Sequence, residues 1–219
     1  VIWLFDLDNT LVNRDAAFAA WAGKAVADHG RTDADLAAIV AADDGGFSRK
    51  ADLARVIIDR LGLPDDVPAT IELFRAGIRE HVEAYPGVLD TLDVLRGAGH
   101  LVGVVTNGDP AQQRGKIARC DVERHVDAIV VSGEEGVEKP DPRLVETALE
   151  RLGAADADRR DVWMIGDAAH ADVAVGRAAG TRTGWVSHGR EWSGGARPDV
   201  VAASTRDVVA LAASPAHGR

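Results

Sequence analysis

Val1-Ile2-Trp3-Leu4-Phe5-Asp6-Leu7-Asp8-Asn9-Thr10-Leu11 is the stretch from which the fold is read. Its opening apolar run is long enough for a buried strand and too short for a helix, and it stops at two carboxylates one residue apart. In an open parallel sheet the carboxyl ends of the strands face the crevice where ligands bind, so Asp6 and Asp8 are expected to share a partly enclosed site. Close carboxylates repel. They coexist beside a cation, a shared proton or strong hydrogen-bond donors, and a hard divalent ion such as magnesium is the economical solution. Taken alone, the same residues with Asn9 also describe a strand ending in a turn, so the rest of the chain has to decide.

After Leu11 the pattern changes to a helical period. Asp15 is placed to cap a helix carrying Phe18, Trp21, Ala22, Ala25 and Val26 on one face. Further helices are predicted over 33–42, from a cap at Ser48 through Leu53, Val56, Ile57 and Leu61 to Gly62, and over 68–84 with Ile71, Phe74, Ile78 and Val82 inward. No strand interrupts these four, so residues 15–84 read as an all-helical insertion between 1–14 and 85–219. Tyr85-Pro86-Gly87 returns the chain. From there apolar strands at 101–105, 128–131, 162–165 and 181–186 alternate with helices, a short edge strand follows at 200–201 and a last helix at 208–211. Repeated β-then-α units predict an α/β fold with a doubly wound, mostly parallel sheet. Residues from Ser214 onward are expected to fray.

Polar signals recur just beyond the strands or in loops on the same rim: Asp6 and Asp8, Thr106, Lys139, and Asp167 with Asp172. Carboxylates from two strands can converge on one magnesium ion, while a lysine and a hydroxyl can converge on phosphate oxygens. Such a site combines metal, anion binder, nucleophile and acid, as phosphoryl transfer requires. A formal net charge of −10 over 219 residues argues against electrostatic capture of nucleic acid or an anionic membrane. The single cysteine, Cys120, excludes an intrachain disulfide framework, and the seven histidines and Cys120 show no zinc-ligand spacing. With no signal-peptide pattern and no apolar run of spanning length, the expectation is a cytoplasmic protein.

In their order and spacing these motifs resemble the haloacid dehalogenase-like hydrolase superfamily, in its phosphatase branch. Asp6-Leu7-Asp8-Asn9-Thr10 is similar to the first motif, Thr106-Asn107-Gly108 to the second, Lys139-Pro140-Asp141-Pro142 to the third, and Gly166-Asp167 through Asp172 to the fourth. The resemblance implies a Rossmann-like core with a helical cap inserted after the first motif. It implies Asp6 as a nucleophile forming an aspartyl-phosphate, and Asp8 as acid and then base. Asp6, the backbone carbonyl of Asp8, and Asp167 are implied to hold Mg2+, with Asp172 a direct or water-mediated ligand. Thr106 and the amide of Asn107 are implied to bind phosphate oxygens, and Lys139 to neutralise charge and orient Asp6. One departure is Ala168, where many relatives carry a hydroxyl residue.

The function expected is magnesium-dependent hydrolysis of a small phosphorylated metabolite by a monomer or weak homodimer. A dehalogenase needs no second acid, so Asp8 favours the phosphatase, whereas a phosphomutase uses the same groups. From another class, a phosphoreceiver-like or silent phosphate-binding module also gathers aspartates, threonine and lysine around magnesium, though receivers lack the helical insertion. By resemblance the cap reads the leaving group. Arg14, Phe18, Trp21, Phe47, Arg49 and Lys50 are its candidate substrate-facing residues, with Arg49 foremost.

Overall fold

The computed structural model describes residues 1–214, so the expectation of a frayed end lies, beyond Ser214 itself, outside the described residues. Ser214 donates its hydroxyl to the Ala210 carbonyl. The described residues form two compact units, 1–12 with 84–214, and Asn13–Glu83.

The first unit is built on a six-stranded sheet of β1 (Ile2–Phe5), β2 (Leu101–Thr106), β3 (Ala128–Val131), β4 (Val162–Gly166), β5 (Arg182–Val186) and β6 (Val200–Ala202). Their order is β3-β2-β1-β4-β5-β6, and every neighbouring pair is parallel. All residues of β1, β3 and β4 are buried, which explains why they read as continuous apolar runs rather than alternating ones. Ile2 and Leu4 pack with Met164, Leu144, Val145, Leu149 and Val175 on one face of the sheet. On the other face Trp3 stacks on its register partner Trp163, with ring centroids 5.9 Å apart. Burying a side chain of this class contributes roughly 1.5–3 kcal/mol. β1 is central because its neighbours supply apolar surface on both sides.

Helices α5 (Val88–Gly97), α6 (Pro110–Arg119), α7 (Ser132–Glu135), α8 (Arg143–Arg151), α9 (Ala174–Ala178) and α10 (Thr205–Ala212) connect or follow these strands. A π turn over Ala169–Val173 leads into α9. Ser132–Glu135 makes a single helical turn directly after β3.

The second unit comprises α1 (Arg14–Asp28), α2 (Asp33–Asp43), α3 (Lys50–Leu61) and α4 (Val67–His81). Two predicted caps are corrected. Asn13, not Asp15, caps α1 by accepting the Ala16 amide, because Asp15 already lies in the first turn. Ser48 precedes the N-cap of α3, Arg49, and its buried hydroxyl finds no partner. Phe18 and Trp21, considered as substrate-facing, are buried against Phe74 inside this unit. Gly77 is required there, since a methyl group at that position would enter the Trp21 ring. Arg14 is likewise buried and held by Asp43 through a two-pronged ion pair. Lys50 caps the Gly46 carbonyl at 2.6 Å, while Phe47 stands exposed and Arg49 keeps 87% of its side chain exposed.

Candidate active site

The strand order places the reversal of the sheet between β1 and β4, and ligands in such sheets bind outside the carboxyl ends of the strands at this point. Asp6 follows β1 directly and its amide extends the ladder to the Ile165 carbonyl at 2.8 Å. Asp167 follows β4, and Thr106 is the last residue of β2. Three sequence-predicted groups thus emerge side by side because three apolar strands end at one level.

Asp6, Asp167 and Asp172 are all buried, and one oxygen from each lies within 4.8 Å of the others. Lys139, also buried, donates from Nζ to Asp6 Oδ1 at 2.6 Å, to Asp172 Oδ1 at 2.7 Å and to the Val105 carbonyl at 2.9 Å. Burial, first, and the neighbouring Asp172, Asp167 and Asp8 push the Asp6 carboxyl up to about 8, although Lys139 opposes them. Burial alone disfavours the charged form of Lys139, but Asp172 and Asp6 outweigh it and hold its ammonium above its ordinary value. A raised Asp6 is the signature of a cluster short of positive charge. Buried carboxylate oxygens from separate segments form the donor set of a hard divalent cation, and magnesium fits it.

Asp172 has both oxygens engaged, Oδ1 by Lys139 and Oδ2 by the Ala168 amide at 2.8 Å, so it fits a water-mediated contact better than a direct one. Gly166 makes room for it, since a methyl group there would overlap the Asp172 carboxylate. The Asn107 side chain closes a reciprocal clamp on Lys139, accepting its amide at 2.8 Å and donating to its carbonyl at 3.2 Å. This ties the loop after β2 to the one that carries the lysine.

Asp8 turns elsewhere. Its Oδ2 accepts from Gln113 Nε2 at 3.1 Å and from the ammonium of Lys116, both on α6. Gln113 also donates to Thr106 Oγ1 at 2.6 Å, which leaves the threonine hydrogen to be directed at an acceptor; in the structure it reaches the Asn107 carbonyl only at 3.5 Å. Gln113 and Lys116 were not singled out from the sequence. The signal was present, since Pro110–Arg119 offers Ile117 as its single large apolar residue, and the buried face of such a helix has to be polar. Arg190, on the loop between β5 and β6, donates to Asp167 Oδ2 and to the Asp167 carbonyl, each at 3.0 Å. Trp185 Nε1 donates to the same carbonyl at 2.8 Å.

Residues 3–186 match the sequence model of the haloacid dehalogenase-like hydrolases. The pyrimidine 5'-nucleotidase YjjG of Escherichia coli (strain K12) is 33% identical over 141 residues, 64% of this chain and 61% of that protein. Across four such curated relatives the chain spans 45–61% of their length. The pyrophosphatase PpaX of Bacillus pumilus is matched more completely, at 30% identity over 95% of this chain and 94% of that one. Among solved structures, YfnB of Bacillus subtilis, described as a HAD-hydrolase bound to magnesium with interdomain movement, superposes with a TM-score of 0.77 at 20% identity, covering 96% of this chain and 97% of that one. With a family match across most of its length and the expected strand order beneath it, the chain belongs to the haloacid dehalogenase-like hydrolase family.

Proposed function

We propose that the protein is a magnesium-dependent phosphatase that hydrolyses a small phosphomonoester through an aspartyl-phosphate on Asp6. The observation that carries this reading is the second carboxylate, Asp8, two residues from Asp6 yet held by α6 apart from the carboxylate cluster. A dehalogenase needs a nucleophile without a second acid, whereas expulsion of an alkoxide needs a proton donor.

In this reading Asp6 attacks phosphorus, a carboxylate–phosphorus bond forms and the bond to the ester oxygen breaks as Asp8 delivers its proton to that oxygen. Asp8 then takes a proton from water, which attacks the same phosphorus, releasing inorganic phosphate and restoring Asp6. Lys139 fixes the Asp6 carboxylate and offsets charge near the transferring group. Thr106 turns its hydroxyl hydrogen to a phosphate oxygen while Gln113 keeps its oxygen occupied, and the Asn107 amide binds a second oxygen. Magnesium, when held by Asp6, Asp167 and the Asp8 carbonyl with Asp172 behind a water, supplies the positive charge that lets an anionic ester approach anionic side chains.

The helical unit is assigned to substrate selection as a cap, with Arg49 meeting a second anionic group. Its exposed guanidinium is only loosely engaged, 3.8 Å from Asp52. The proposal places the protein in a reducing cytoplasm, which a single cysteine fits, as a monomer or weak homodimer. Among the described residues no helix is long and apolar enough to cross a membrane. The test is phosphate release from a panel of sugar, nucleotide and short-acid phosphates, with and without magnesium. Asp6→Asn should abolish turnover while keeping the fold. A wild-type protein inactive on the whole panel, or an Asn variant above about a hundredth of the wild-type rate, defeats the proposal.

A further inference from the structure

We infer that Lys116, with Gln113 one helical turn before it, is the positioning residue for Asp8. The inference deepens the phosphatase reading and rests on it. Lys116 is only 3% exposed, and burying an ammonium is costly unless it is paired. The packing of α6 does not require it, because the adjacent Ile117 supplies the apolar contact. Its Nζ instead meets Asp8 Oδ2, and Gln113 donates to that same oxygen. Residues three apart share a helix face, so one face of α6 presents both donors together.

The sheet order gives this pairing a direction. Thr106 and α6 lie on the β2 side of β1, whereas Asp167 and its partner Arg190 lie on the β4 side. Asp6 and Asp8 are separated only by Leu7, yet Asp8 is the one that the α6 donors hold. The α6 donors draw it to the other side, where its own side chain remains 27% exposed. Gln113 then joins the acid to the phosphate-binding threonine, through bonds of 3.1 and 2.6 Å from one amide nitrogen. Lys116 works through Asp8 and not on the ester itself. It acts by keeping Asp8 beside the oxygen that leaves.

The experiment compares kcat/KM for the best alkyl phosphate of the panel with that for p-nitrophenyl phosphate, whose leaving group departs without a proton. Lys116→Met should lower the alkyl value by about ten- to a hundredfold, the scale of a misplaced catalytic group, and the aryl value by less than about threefold. In an Asp8→Asn background the same substitution should cost the alkyl reaction nothing further, since residues acting as one unit are not additive. Lys116→Gln, which keeps a polar atom in the site, provides a second variant should the methionine protein fail to fold, and melting curves distinguish the two situations. Equal losses on both esters, or a loss in the Asn background as large as in wild type, overturn the inference. Asp8→Asn losing the same factor on both esters instead removes the assignment of Asp8 as acid, on which the inference depends.

Discussion

In the metal-free protein Asp6→Asn should gain stability relative to wild type as pH rises from 5 to 7, even as it ends catalysis. The Asp6 carboxyl is pushed from its ordinary 3.8 up to about 8, chiefly by burial. A group raised in the folded state stabilises fully below its unfolded value, and that stability is lost as pH rises towards the folded value. Each tenfold change in proton activity across this window is worth about 1.4 kcal/mol, so the wild-type protein gives up about 3 kcal/mol between pH 5 and pH 7 that an uncharged amide does not. Loss of the partner for Lys139 lowers the stability of the variant by a nearly constant amount, which cancels when the two pH values are compared. The assay is urea unfolding in excess chelator at both values, followed by the fluorescence of Trp3, Trp163 and Trp185, all buried in the sheet unit. The stability of the Asn variant relative to wild type should rise by about 3 kcal/mol from pH 5 to pH 7. A relative stability that stays flat, or falls, would refute the account of Asp6 as a carboxylate strained by burial.

Magnesium binding to the wild-type protein near pH 7 should expel close to one proton, since the cation takes the ionised form of Asp6; calorimetry in buffers of different ionisation enthalpy measures this, and zero release counts against Asp6 as a ligand. Gly166→Ala should lose activity and about 1–3 kcal/mol of stability, because the methyl group occupies the space of the Asp172 carboxylate; a melting temperature unchanged in chelator would show that the segment yields freely. Arg49→Ala should lower kcat/KM about ten- to a hundredfold on a substrate with a second anionic group and leave a minimal aryl phosphate nearly unaffected, as expected for one charge-assisted hydrogen bond. If steady-state kinetics show equal losses on both, Arg49 supports its own unit instead.

The sheet was legible because parallel strands buried on both faces leave unbroken apolar runs, and their ends could be read from the first polar residue. Asp6, Thr106 and Asp167 were therefore found together. Lys139 and Asp172 were found by spacing and resemblance, and the structure joins them through one ammonium. Illegible were the partners that long-range pairing alone supplies. Lys116 and Gln113 meet Asp8 across more than a hundred residues of chain, and Arg190 reaches Asp167 from a loop without periodicity. Helix starts failed for a local reason: around Asn13 and Ser48 several short polar residues compete for the cap, and backbone dihedrals decide among them.

Where the helical unit leaves and rejoins the sheet unit, Val12 and Ala84 form an antiparallel bridge, with the Asn13 amide on the Glu83 carbonyl and the Tyr85 amide on the Leu11 carbonyl, both at 2.9 Å. To the sheet unit, some seventy residues are thus a loop whose mouth is already stitched shut. Closing such a loop entropically costs only about 2–3 kcal/mol more than closing one of four residues, at roughly 0.6 kcal/mol per doubling of length. That small difference lets an entire helical unit be lengthened, shortened or exchanged during descent with little thermodynamic consequence for the strands that carry Asp6 and Asp167.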